Sequence, residues 1–238
     1  AQVNALETAD LRTLSAEQIQ ALGSAQLAAL SSIQVPALKT EQVAAIEVVD
    51  LAALPTSILN KLTTAQVQAL TSDQVAALTS TQVMGLTTAQ VAALETADLT
   101  ALGTAAFRQL STAQIKALSS AQVAALTEDQ LQSLTGAQLS ALDTADVAVL
   151  STDQLAGLST AQVAGLSTAH VAALTTNQMS SLSAAQIGAL TSAQVVAMTT
   201  AQFANLTVDQ VAAMGTAQVR AIQTSDLQAM TTAQIAAL

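Results

Sequence analysis

The chain has 238 residues, 51% of them apolar and only 9% charged, and its 16 acidic and six basic side chains give a formal net charge of −10. That balance excludes the basic patches that neutralise a nucleic-acid backbone or an anionic membrane surface. With no Cys, disulfides and thiolate metal sites are excluded as well.

Read from its first residue, the chain opens on Ala1–Leu6 (AQVNAL) and then runs from Glu7 to Leu238 as 29 octads in unbroken phase. The opening six residues are positions 3 to 8 of a further copy, so the sequence reads as a segment of a longer array over 1–238. A fixed short period signals units that stack on their neighbours in one dimension. The four octads from Thr63 to Leu94 (TTAQVQAL, TSDQVAAL, TSTQVMGL, TTAQVAAL) show the pattern most plainly.

Positions 5 and 8 are apolar in every copy, position 7 is usually small, and position 6 varies freely, carrying Arg12, Met84, Lys116 and Arg220. Positions 5 and 8 are therefore read as core, position 7 as a close-packing site and position 6 as the solvent face. Positions 1 and 2 are rich in Ser and Thr and cover for one another, as in Gly23-Ser24, Lys39-Thr40, Pro55-Thr56 and Glu95-Thr96. Position 4 is Gln in 22 of 30 copies and Asp in five.

A hydroxyl followed three residues later by Gln is the capping box of a helix start, and positions 5 and 8 then lie on one helical face. Each octad is expected to form a helix of about six residues, a turn and the next cap. One long helix is excluded, because the apolar face would turn by roughly 80° per octad and no seam would hold. So short a helix does not survive alone, and neighbours must seal its apolar face.

The expected fold is thus an all-α solenoid of very short helices, with three octads per superhelical turn. Asp50, Asp98 and Asp146, spaced 48 residues apart, suggest such whole-number closure, a rhythm that Asp10 and Asp226 do not follow. The alternative is a β-solenoid, since position 5 is often β-branched and Ala97-Asp98-Leu99 and Ser225-Asp226-Leu227 resemble the core of pentapeptide repeats. Against it, Ala and Gln are weak strand formers, and corner residues such as Gly and Asn are scarce.

Pro36 falls at an outward position and Pro55 at a turn. Val48 to Lys61 is the most degenerate stretch, with Ile58 in place of Gln and Lys61 in place of the small residue. It reads as a worn copy, a local bend or a contact site. No linker or domain boundary interrupts the array.

Candidate chemistry is sparse. His170 is the single histidine and takes the place of a position-4 Gln in STAHVAAL; with no Cys and no second His to join it, it reads as a cap substitution. Asp73, Asp129, Asp153 and Asp209 are scattered at position 3 without a Gly-rich loop, so no calcium site is expected. Arg108 joins the other cations at position 6, and Phe107 and Phe203, the sole aromatic residues, read as core fillers. No nucleophile with a base, paired carboxylates or phosphate loop can be assembled. Catalytic, cofactor-binding and metal-binding residues are all expected to be none, and the chain is not expected to be an enzyme. No run of 18 apolar residues exists to span a membrane, and no signal peptide is visible. Regular threonines also raise ice binding as a distant reading, weakened by the free exchange of Ser for Thr.

The unit L-[ST]-[ST]-x-Q-[VI]-x-A-L, as in LTTAQVAALETADL and LSTAQVAGLSTAHVAAL, resembles octapeptide tracts of very large bacterial surface or secreted proteins labelled adhesin-like or haem-utilisation. The resemblance implies an extracellular or cell-surface rod, stalk or filament that self-associates, end to end or laterally. The second expectation is a protein-interaction scaffold acting through position 6 and the turns. The haem label gains no support from one His and no aromatic pocket.

Overall fold

The structure, a computed structural model, describes residues 2–238. It has one α-helix of four to six residues per octad, from α1 (Thr8–Leu11) to α29 (Thr232–Ala236), after a single 3-10 turn at Val3–Ala5. No strand occurs among the described residues, which removes the β-solenoid alternative.

The corner between helices is made by two extended residues. Position 8 ends the helix, as at Leu94 (φ −58°, ψ 135°), and position 1 starts the next, as at Thr63 (φ −71°, ψ 162°). Any L-residue adopts these angles, and no described residue has a positive φ. That is why the chain turns every eight residues with so little glycine.

Contacts group the chain into two compact units, Ala1–Ala125 and Leu126–Leu238. In the first, α1 packs on α4 (Gln34–Ala37), α2 (Ala16–Gln20) on α5 (Thr40–Ala44), and α9 (Ser72–Ala76) on α12 (Thr96–Ala101). In the second, α18 (Thr144–Ala148) packs on α21 (Thr168–Ala173), which packs in turn on α24 (Ser192–Ala197). α23 (Ala184–Gly188) packs on α26 (Val208–Ala212), and α25 (Thr200–Ala204) on α28 (Thr224–Ala229). The partner is always three octads away, so each unit winds at three octads per turn.

The core follows the octad. Position 5 is enclosed along most of the array, as at Leu51, Val91, Ile187 and Val195, with Leu227 and Ile235 exposed, and position 8 lines the same interior, as at Leu102, Leu134 and Leu182. Phe107 and Phe203 are wholly buried at position 5, and four of the five Met are core while Met84 is exposed. Position 7 needs small residues because layers approach closely: a Cβ on Gly165 would lie 3.2 Å from the Cα of Gly136.

Candidate functional site

The recurrent feature is the side chain at position 4, and its local role is the expected one. Thr63 Oγ1 accepts from the Gln66 N–H (3.2 Å), and Gln66 Oε1 accepts from the Thr63 N–H (2.8 Å). Both partners are orphan donors of a helix start, so the box satisfies them reciprocally.

The expectation that position 2 supplies the cap when position 1 lacks a hydroxyl is not met. Gly23, Lys39, Pro55 and Glu95 remain the N-caps, without a side-chain cap bond. The Gln half of the box needs only a backbone N–H, so Gly23 and Lys39 keep it at 2.9 and 2.8 Å. Position-2 hydroxyls instead serve the next layer: Ser80 Oγ donates to the Ala105 carbonyl at 3.2 Å.

The same Gln side chain has a second role that spacing alone did not reveal. Its Nε2 group reaches back 28 and 31 residues and donates to the carbonyls of positions 8 and 5 in an earlier layer. Gln66 donates to Leu38 O (2.8 Å) and Val35 O (2.9 Å), and Gln202 to Leu174 O (2.7 Å) and Val171 O (2.8 Å). The position-8 carbonyl is an orphan acceptor of a helix end, while the position-5 carbonyl also accepts from the position-8 N–H, as Val35 O does from Leu38 (3.2 Å). One buried amide thus closes the start of its own helix and the end of another, using its acceptor and both donors.

A signal for this was present in the sequence. A capping box accepts Glu as readily as Gln, yet Glu never occurs at position 4 in this chain. The site needs an N–H₂ group, which a carboxylate cannot supply.

The exceptions obey the same chemistry. Asp has no donor to offer the carbonyls: Asp146 Oδ2 keeps the local box with the Asp143 N–H (3.1 Å), and three others reach donors at a helix start three octads earlier. Asp50 Oδ1 accepts from the Ser24 N–H (2.8 Å), Asp98 Oδ1 from Ser72 Oγ (2.6 Å) and Asp226 Oδ1 from Thr200 Oγ1 (2.7 Å). Every octad with Asp at position 4 carries Glu, Asp or Gln at position 1, and never Ser or Thr.

His170 imitates Gln. Its Nδ1 faces the Ser167 N–H (3.4 Å) and its Nε2 faces the Leu142 carbonyl (2.9 Å). A neutral ring protonated on Nε2 satisfies both contacts. The histidine is therefore a buried structural link.

The remaining candidates are dispersed. Asp73, Asp129, Asp153 and Asp209 are all exposed, each in a different octad, and no group of three metal-ligating side chains exists among the described residues. Arg12, Arg108, Lys116 and Arg220 are exposed at position 6. Among the described residues no helix is long and apolar enough to cross a membrane. Most hydroxyls at position 1 are committed to caps, so the Thr and Ser ladder is not a free face. The structure leaves His170, these aspartates and these cations each in a different octad.

A family model described as the ALTTAQ repeat matches residues 3–40, 43–80, 91–128, 152–184, 176–208 and 208–238. A comparison with curated proteins finds no match.

Proposed function

Since the chain belongs to the ALTTAQ repeat family and is repeat throughout, we propose that it is a non-catalytic structural scaffold. In this reading it serves as an extracellular or bacterial cell-surface rod, stalk or filament. The observation that carries it is the buried position-4 amide: the consensus side chains are consumed in stacking one layer on the next, and variation is left to outward positions. The acidic surface with its scattered cations supports a role without nucleic acid. Self-association belongs to the same proposal, because layer-on-layer contact is the interaction every turn already makes. Two measurements test it: antibody labelling of intact against permeabilised source cells, and electron microscopy of the purified chain at rising concentration. Surface labelling with concentration-dependent filaments is expected; labelling only after permeabilisation, with particles of constant size, would overturn the reading.

A second reading, an interaction scaffold, is favoured by one local feature. Ile33 and Val49 are 72% and 71% exposed, unlike the small or polar residues usual at position 3. If a partner docks there, Ile33→Ser with Val49→Ser abolishes adhesion of the chain to its target surface while leaving its circular dichroism unchanged. Equal adhesion by that variant would rule the reading out.

A further inference from the structure

We propose that the unit Ala1–Ala125 contains a built-in opening seam, where α7 (Thr56–Leu59) closes over the end of α3 (Ser24–Leu27). Five observations converge on it.

Ile58 stands where Gln belongs, so nothing at position 4 donates to Leu27 O and Leu30 O, the carbonyls 31 and 28 residues earlier. Pro55 stands at position 1 of the same octad and has no N–H for a capping amide to accept. The two changes match: the donor and the acceptor of the box are lost together. The preceding octad carries Asp50, which cannot donate and bonds to the Ser24 N–H instead. Two consecutive interlayer links are therefore missing, leaving the ends of α2 and α3 without an amide above them.

The packing at this place is also incomplete. A small apolar void lies here, lined among others by Leu27, Leu30, Leu54, Ile58, Leu59 and Leu62. Asn60 Oδ1, in the same octad, is buried without a hydrogen-bond partner. An unfilled gap forfeits dispersion contacts, and a buried acceptor without a donor costs free energy.

The interruption at Asp98 and Ala106 differs in its packing. Asp98 is tied to an earlier helix start by the Ser72 hydroxyl, as Asp50 is by the Ser24 N–H, but there the wholly buried Phe107 follows Ala106. The Pro55–Ile58 octad has the smaller Leu59 at that position and borders the void. Units of this type open locally at the least stabilised contact, so this seam gives the unit a defined yield point under heat, denaturant or load.

Hydrogen exchange on the full chain, read by mass spectrometry, tests the proposal. Peptides covering 24–30 and 55–62 are expected to exchange on the order of tenfold faster than those covering 32–38 and 64–70, the factor expected for two missing hydrogen bonds of ordinary net strength. The double variant Pro55→Thr/Ile58→Gln restores the consensus box and is expected to bring the seam to the rate of its neighbours. The converse pair, Thr191→Pro with Gln194→Ile, removes the donor to Val163 O and Leu166 O and is expected to speed exchange at 163–166. An even profile, a smooth decline from the N-terminus without a local maximum, or unchanged exchange in either double variant would overturn the proposal.

Discussion

Gln186 offers the sharpest separation of capping from linking layers. Its Oε1 accepts from the Ser183 N–H at 2.7 Å, and its Nε2 donates to Leu155 O at 3.0 Å and Leu158 O at 2.7 Å; the residue is 2% exposed. Gln186→Leu keeps the volume and removes these three bonds together with a longer one to Ala156 O (3.3 Å). At about 1 kcal/mol net for each bond, and more where a partner stays buried and unpaired, the loss is about 3 kcal/mol or more. The added apolar surface offsets part of it. Ser183→Ala removes only the hydroxyl cap and should cost about 1 kcal/mol. Gln186→Glu keeps the Oε1 acceptor but points a carboxylate at two carbonyls in a buried site. It should be worse than Gln186→Leu at neutral pH. Burial and the facing carbonyls raise the folded-state pKa of the introduced carboxyl above its unfolded value. The penalty is therefore absent at low pH and grows as pH rises above about 4, and the protonated group can itself donate to a carbonyl. Urea unfolding followed by circular dichroism, with hydrogen exchange at α19 (Thr152–Ala156) and α23, measures all three variants. If both Gln186 variants cost no more than Ser183→Ala, and the Glu variant shows no recovery in acid, the interlayer role is refuted.

Other outcomes follow from single contacts. Gly188→Ala places a Cβ 2.8 Å from the Ala213 carbonyl on the facing helix, a backbone atom that cannot yield cheaply, and should destabilise by about 1–3 kcal/mol in urea unfolding. Gly103→Ser should instead stabilise by about 0.5–1 kcal/mol: an added Cβ meets nothing within 4 Å, φ is −61°, and the new hydroxyl can cap α13 (Thr104–Phe107). Phe203→Ala empties a wholly buried position and should cost about 3–5 kcal/mol by the same assay, with exchange accelerated at α25 and α28. The carboxyl of Glu17 is held below the usual carboxylate range, first by its own backbone N–H and then by the Ser15 hydroxyl. The small stability it adds is present above the unfolded pKa and lost as pH falls through the lower folded value; a carboxyl titration by NMR should show the displaced midpoint, and Glu17→Gln should remove that pH dependence.

The architecture was legible because its causes are local. The recurrence of Thr63 with Gln66 marks each helix start, the pairing of Val67 with Leu70 marks its buried face, and an eight-residue period forbids a continuous helix. The count of three octads per turn was only hinted at by the 48-residue spacing of Asp50, Asp98 and Asp146, which closure at two, three or six octads would share and which Asp10 and Asp226 do not follow. The second half of the Gln role was not legible in the same way, since Gln66 and Leu38 are separated by 28 residues and no local rule links them. Its trace was the exclusion of Glu from position 4, a negative fact that becomes informative once the carbonyls are seen. The reassignment of position-2 hydroxyls has the same origin: Ser72 answers to Asp98 in another layer, and its cap-like spacing is incidental.

The central claim is that the position-4 amides are buried links between layers. NMR of the Gln side-chain amides tests it most directly, with Gln186 assigned by its disappearance in Gln186→Leu. The account predicts slowly exchanging Nε2 protons with nuclear Overhauser contacts to Leu155 and Leu158, 31 and 28 residues earlier. Amide protons that exchange at the rate of free glutamine, with contacts confined to Ser183 and its neighbours, would contradict it.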